Sequence, residues 1–246
     1  MIQVSNLQKS YNGTVVLDLP ELKIAKGEVF GLVGNNGAGK TTFFSLVLDL
    51  VRASKGNVSI NEIPVSKSED WKSLTSAYID ESFTIGYLTA DEYFSFIGEL
   101  RDMNSKDISQ FLADFEAFFN DEIIGKKKFI RDLSKGNQKK VGVVGALMGN
   151  PELVILDEPF ANLDPTSQFK LRKIIKEFAS EKGKTFMISS HDLDHVADVC
   201  TRIVILEKGK VVRDVQKTES TLAELEEFFT GVKVELNAKA SFLDEL

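Results

Sequence analysis

Apolar positions along this chain change period several times, and each change marks an element. Ile2-Gln3-Val4-Ser5-Asn6-Leu7 alternates apolar and polar, the pattern of a half-buried strand. Asn12-Gly13 follows as a hairpin turn, and Thr14-Val15-Val16-Leu17 resumes the strand. Gly27 to Val33 predicts a buried strand that runs straight into a glycine-rich turn, and Thr41 to Val51 predicts an apolar helix. Leu153-Val154-Ile155-Leu156 and Thr185 to Ser190 are short continuous runs, which suit parallel strands covered on both faces. Between them Gln168 to Glu181 reads as an amphipathic helix. Asp194 to Cys200 predicts a helix, and Arg202–Leu206 with Val211–Val215 predicts a hairpin turned at Lys208-Gly209. From Thr218 the chain is acidic, with a helix over Leu222 to Phe229. Strands alternating with helices place the chain in the α/β class.

The stretch from Pro64 to Ile130 differs in character. Aromatic residues crowd there, and Phe111, Phe115 and Phe118 stand at helical spacing. The expectation is a helical subdomain, about residues 65–150, inserted into the α/β core and filled by its own aromatic residues. Phe83 and Tyr87 are the candidates for facing a partner protein. A helix over Ser134 to Met148 starts at Ser134, a good N-cap residue. Residues 1–231 then form a single domain, and 232–246 a short acidic tail with no interpretable motif.

Composition narrows the picture slightly. The chain has 246 residues, 43% apolar and 27% charged, ordinary for a folded domain of this size. Thirty basic against 37 acidic residues give a net charge of −7, which argues against nucleic acid as the main partner. One cysteine, Cys200, excludes an internal disulfide and fits a reducing cytosol. The N-terminus lacks the apolar core of a signal peptide. The longest apolar run, near Val141 to Gly149, is far short of the about 20 residues of a membrane span.

The chemistry begins at Gly34-Asn35-Asn36-Gly37-Ala38-Gly39-Lys40-Thr41-Thr42, which fits G-x-x-x-x-G-K-[ST]. The glycines let backbone N–H groups converge and approach phosphate closely. The helix that follows aims its positive end at the same point. Lys40 supplies a mobile cation, and the Thr41 hydroxyl is a ligand for Mg²⁺ beside the phosphates of ATP. Asp157 and Glu158 end the run from Leu153, at the strand end where an α/β sheet forms its ligand crevice. Two acids ending a strand are explained by solvation when they stand alone. Beside a phosphate loop, Asp157 reads as the Mg²⁺ carboxylate and Glu158 as the group that polarises water.

With these residues the sequence resembles the ATP-binding cassette ATPases, the motor subunits of ABC transporters, from Met1 to about Gly231. Leu133-Ser134-Lys135-Gly136-Asn137-Gln138 looks like the family signature, usually LSGGQ. The resemblance implies a P-loop NTPase core with a mixed central sheet, an N-terminal antiparallel β portion and an inserted helical subdomain. It implies that Ser134, Gly136 and Asn137 contact the γ-phosphate held by an opposite subunit. It places Tyr11 against adenine with Val16 beside the nucleotide, Asp164 in a loop that communicates across the dimer, and His191 as a switch on the γ-phosphate. His195 lacks that support and reads as a plain helix residue. Two departures stand out. Lys135 and Asn137 replace glycine and glutamine in the signature, and Ser76 to Ser82 lacks the family's loop glutamine. Glu81 or Asp80 takes that glutamine's place, with Glu81 the candidate to reach the metal.

The resemblance implies an ATPase whose cofactors are ATP and Mg²⁺. Two copies, or this chain and a paralogue, sandwich two nucleotides and drive a separate membrane permease. The chain is then peripheral, on the cytoplasmic face of the membrane. The short chain and the Lys-Gly-Asn signature resemble exporter-type cassettes. The rivals are a soluble cassette ATPase outside transport and a weakly hydrolysing structural partner.

Overall fold

In the computed structural model the structure describes residues 1–180 and 182–230, and the tail expected over 232–246 lies outside them. The first strands are β1 (Ile2–Tyr11), β2 (Thr14–Ile24) and β3 (Val29–Val33), followed by α1 (Lys40–Val47). Next come β4 (Lys55–Ile60), β5 (Ile63–Pro64) and β6 (Thr75–Tyr78). Four helices follow: α2 (Ala90–Leu100), α3 (Ser105–Ala113), α4 (Glu116–Phe119) and α5 (Lys135–Leu147). The rest is β7 (Leu153–Leu156), α6 (Pro165–Ser180), β8 (Thr185–Ser190), α7 (Leu193–Val199), β9 (Arg202–Glu207), β10 (Lys210–Gln216) and α8 (Thr221–Thr230).

Two sheets result. β2-β1-β4-β5 is antiparallel, and β10-β9-β3-β8-β7-β6 is mixed, parallel from β9 to β6 with β10 antiparallel at one edge. The β1–β2 turn puts Asn12 and Gly13 at positive φ, as a type I′ hairpin requires, and Lys208 and Gly209 do the same between β9 and β10. The mixed sheet is apolar on both faces. Val154 and Leu156 of β7 point into a core under the helices. Leu153 and Ile155 point into a second core shared with the antiparallel sheet and α1.

The expected helical stretch is narrower than 65–150. Residues 70–74 form a 3-10 turn whose Trp71 packs in the second core, and β6 is an edge strand of the mixed sheet. Helices begin at Ala90. Phe111 lies in α3, whereas Phe118 lies in the separate α4, with Phe115 between them, so their spacing spans two helices. They still fill the core beneath the helices: Phe115 and Phe118 are buried there and Phe111 packs against it. Tyr87 is exposed and stacks under Arg131, while Phe83 is half-buried. α1 stops at Val47 rather than Val51, because Asp49 turns left-handed (φ 51°). α6 begins at Pro165, ahead of Gln168, with Asp164 as its cap: the carboxylate accepts from Ser167 N (3.0 Å) and Ser167 Oγ (2.5 Å).

α5 runs through the middle of the helical layer and is buried on nearly every side from Gln138 to Leu147. Its glycines permit this. A Cβ built on Gly142 would lie 2.1 Å from Tyr78 Cε2, and one on Gly145 would lie 2.8 Å from Tyr93 Cε1. The first buried polar position of α5 is satisfied locally. Gln138 Nε2 donates to the carbonyls of Leu133 (2.8 Å) and Arg131 (3.1 Å). Among the described residues no helix is long and apolar enough to cross a membrane.

Candidate nucleotide site

The site sits where β3, β7 and β8 end together. Gly34 N donates to Ser190 O (3.3 Å), tying the loop to the end of β8. Gly39 holds φ at 108° and opens α1. On its far side the loop is braced by the Lys208–Gly209 turn: Gly209 N donates to Ala38 O (2.9 Å), and Asp18 N donates to Gly209 O (2.8 Å). A Cβ on Gly209 would fall 2.3 Å from Val16 O, so only glycine fits this brace.

A cleft of about 290 Å³ is lined by Tyr11, Val16, the loop from Asn35 to Thr42, and Glu158. Larger hollows exist elsewhere, such as one of about 430 Å³ over α3 and α4, but none of the predicted site residues lines it. Lys40 is buried. Its amine donates to Gly34 O (2.6 Å) and lies 3.2 Å from Glu158 Oε1. That second contact is an ion pair without hydrogen-bond geometry, since Oε1 has no hydrogen-bond partner. Glu158 Oε2 meets His191 Nδ1 at 2.8 Å and accepts from His191 N at 3.3 Å. Lys40, Glu158 and His191 therefore form one chain of contacts across the cleft.

The metal side is equally compact. Thr41 Oγ1 donates to Asp157 Oδ2 (2.5 Å), and Ser189 Oγ donates to Asp157 Oδ1. Burial pushes the Asp157 carboxyl above the usual carboxylate range, against the pull of these two hydroxyls and of Lys40. Ser189 also accepts from Glu158 N (2.9 Å), so one hydroxyl fixes both acids. Ser189 is a functional residue that sequence reasoning did not single out; the only local signal is a pair of serines closing an apolar strand.

The other expected residues lie apart from this centre. Ser134 caps α5 by accepting from Asn137 N (3.2 Å), and Asn137 Nδ2 donates to Glu122 (2.9 Å). A Cβ on Gly136 would meet Asn162 O at 2.8 Å, so the start of α5 packs on the 161–164 loop. None of the three lines the cleft. Glu81 follows β6 and pairs with Lys135 at 3.6 Å, while Asp80 accepts from Ser82 N (2.7 Å). Tyr11 is half exposed at the cleft's mouth, with Lys9 4.6 Å over its ring. His195 stacks on Phe160 and bonds Gln168, a packing role.

The family profile described as "ABC transporter" matches residues 17–161, more than half of the chain. The chain belongs to the ABC transporter family. It is the ATP-binding subunit of such a transporter, an ABC ATPase that hydrolyses ATP to drive transport. It is 36% identical over 213 residues to an uncharacterized ABC transporter ATP-binding protein of Methanocaldococcus jannaschii, covering 86% of this chain and 76% of that one. It is 31% identical over 222 residues to the bacitracin transport ATP-binding protein BcrA of Enterococcus faecalis, covering 89% and 70%. In fold the ABC subunit is similar to the cassette MJ0796, solved as a dimer in a post-hydrolysis state bound to ADP and Pi (TM-score 0.76, 22% identity, 89% and 99% covered). It is likewise similar to cbiO1 from Clostridium perfringens, part of the transporter complex cbiONQ (TM-score 0.74, 25% identity, 96% and 95% covered).

Proposed function

We propose that this subunit hydrolyses ATP in a composite site, with Glu158 orienting the attacking water. The observation that carries this is the convergence of Lys40, Glu158 and His191 on one end of the phosphate loop, all within 3.3 Å contacts. Backbone N–H groups from Gly34 to Thr42 and the start of α1 receive the phosphates. The Lys40 amine, freed from the Gly34 carbonyl and Glu158, turns to the β- and γ-phosphates. Glu158 then accepts a hydrogen bond from the water in line with the γ-phosphorus, and His191 and Lys40 stabilise the charge that develops on the equatorial oxygens. The Thr41 hydroxyl and Asp157 carboxylate present two hard oxygen donors side by side, a set that suits Mg²⁺ and would hold it. The ion would add charge neutralisation between the phosphates. Glu81, paired with Lys135, is the further carboxylate that would turn toward that ion.

Ser134, Gly136 and Asn137 stand away from the cleft in the same chain, which supports their acting on a nucleotide held by a second copy or a paralogue. Tyr11 and Val16 cover the adenine side, and Asp164 serves the junction between subunits. The likeness to BcrA, a bacitracin transport protein, and to a member of the cbiONQ complex supports work with a separate permease on the cytoplasmic face of a membrane, and the Lys135-Gly136-Asn137 signature supports the export direction. Exposed Tyr87, just beyond Glu81, is the surface through which closure of the two subunits would act on that permease.

The test is Glu158→Gln. The variant should bind ATP, lose turnover by at least about a hundredfold, and run as a dimer with ATP in size-exclusion chromatography. Turnover at the wild-type rate would remove Glu158 from this role.

A further inference from the structure

α5 is capped by Ser134, and its first turns carry two lysines spaced to share one face, Lys135 and Lys139. Both meet acids that end strands of the mixed sheet. Lys135 pairs with Glu81 after β6 at 3.6 Å. Lys139, buried, donates from Nζ to the backbone carbonyl of Glu158 after β7 at 2.7 Å. The Tyr78 ring lies 5.9 Å from the amine. Burial pulls the Lys139 amine below the ordinary lysine range, while Glu81, Glu158, Asp157 and Asp80 all favour its charge.

We propose that Lys139 is a positioning residue for Glu158, holding its backbone so that the carboxylate faces Lys40 and His191. This rests on the reading of Glu158 as the water-orienting group. Glu158 sits at φ 48°, a left-handed conformation that a non-glycine residue keeps only when its surroundings hold it there. Its N–H is held by Ser189 Oγ and its C=O by Lys139 Nζ. With both peptide groups pinned, the side chain leaves the backbone in one direction. Without Lys139 the carbonyl keeps only its longer bond from Ala161 N (3.3 Å), the residue relaxes from the left-handed region, and the carboxylate leaves the line of attack. Lys139 also joins the signature helix to the acid that performs the chemistry, so a shift of α5 against the sheet reaches Glu158 directly.

Lys139→Met should lower kcat for ATP by about ten- to a hundredfold, the scale of a 1 Å misplacement, with ATP affinity within about threefold of wild type. Lys139→Arg, which keeps a charged donor, should recover most of kcat. In a Glu158→Gln background, Lys139→Met should add no further loss, because both changes act through one group. If Lys139→Met does not fold, Lys139→Leu, which likewise has no donor, takes its place in every comparison. The inference is overturned by wild-type kcat in the folded variant, by a loss that appears in affinity rather than kcat, by failure of arginine to restore turnover, or by multiplying losses in the double variant. Wild-type turnover in Glu158→Gln alone would remove the parent reading and this inference together. A slow Glu158→Gln beside a fast Lys139→Met would remove this inference alone.

Discussion

Gly142→Ala tests the packing that places the catalytic strand ends. In an exposed helix this change would stabilise by about 1 kcal/mol through helix propensity. Here the new methyl would sit 2.1 Å from Cε2 and 2.2 Å from Cδ2 of Tyr78, against an optimum of about 3.5–4.0 Å for carbon pairs. The Tyr78 ring has nowhere to go: it is 1% exposed, and its strand is fixed by parallel pairing with β7 from Thr75–Leu153 to Tyr78–Leu156. Overpacking of this kind costs about 1–3 kcal/mol, and so rigid a neighbour puts it at the upper end. The net loss is about 2 kcal/mol, a fall in Tm of about 4–8 °C for a chain of this length. Thermal unfolding without nucleotide reads it. Tyr78→Phe in the same background should give no relief, since the clashing ring atoms remain. Tyr78→Ala should relieve it, making the double variant less destabilised than the sum of the two changes. An unchanged or raised Tm for Gly142→Ala would refute this account of α5.

Three further outcomes follow from the site. Asp157→Asn should raise the Tm of the nucleotide-free protein at neutral pH: burial raises the folded-state pKa of Asp157, so its ionised form costs stability that is regained as pH falls through that raised value. The gain should shrink in scans run at successively lower pH, and a lowered Tm at neutral pH would contradict it. Ser134→Ala removes the cap of α5 and should cost about 1 kcal/mol by denaturant unfolding, while ATPase activity falls far more than that stability loss accounts for. Lys40→Ala should weaken ATP binding by at least about tenfold in an equilibrium titration, the effect of losing a charged contact worth about 1.5–3 kcal/mol, and unchanged affinity would count against this placement of the phosphates.

The parts legible in the sequence were those whose signal is local. The phosphate loop, the acid pair at Asp157-Glu158 and both type I′ turns are fixed by residues within a few positions of each other, and each stands where its spacing said. β6 was not legible. Thr75-Ser76-Ala77-Tyr78 is short, lies among aromatic residues, and becomes a strand only because β7 lies alongside it. The lysines of α5 were hidden for a related reason. Lys139 and Lys140 look like solvated positions, yet both are buried, one on the Glu158 carbonyl and one 5.4 Å from the Phe118 ring. Their partners come from other elements, and no local period reports them. The same holds for Ser189, whose importance appears only once β7 and β8 lie side by side.

The brace at Gly209 bears on the order in which the protein becomes competent during synthesis. The phosphate loop is synthesised well before its neighbours β8 and β9 and the turn that supports Ala38, which come from the last quarter of the described chain. A nascent chain that has emerged only as far as β7 carries the loop and both acids but has no strand on either side of β3. The cradle therefore lacks both flanking strands and its brace until the chain through Gly209 has folded onto it.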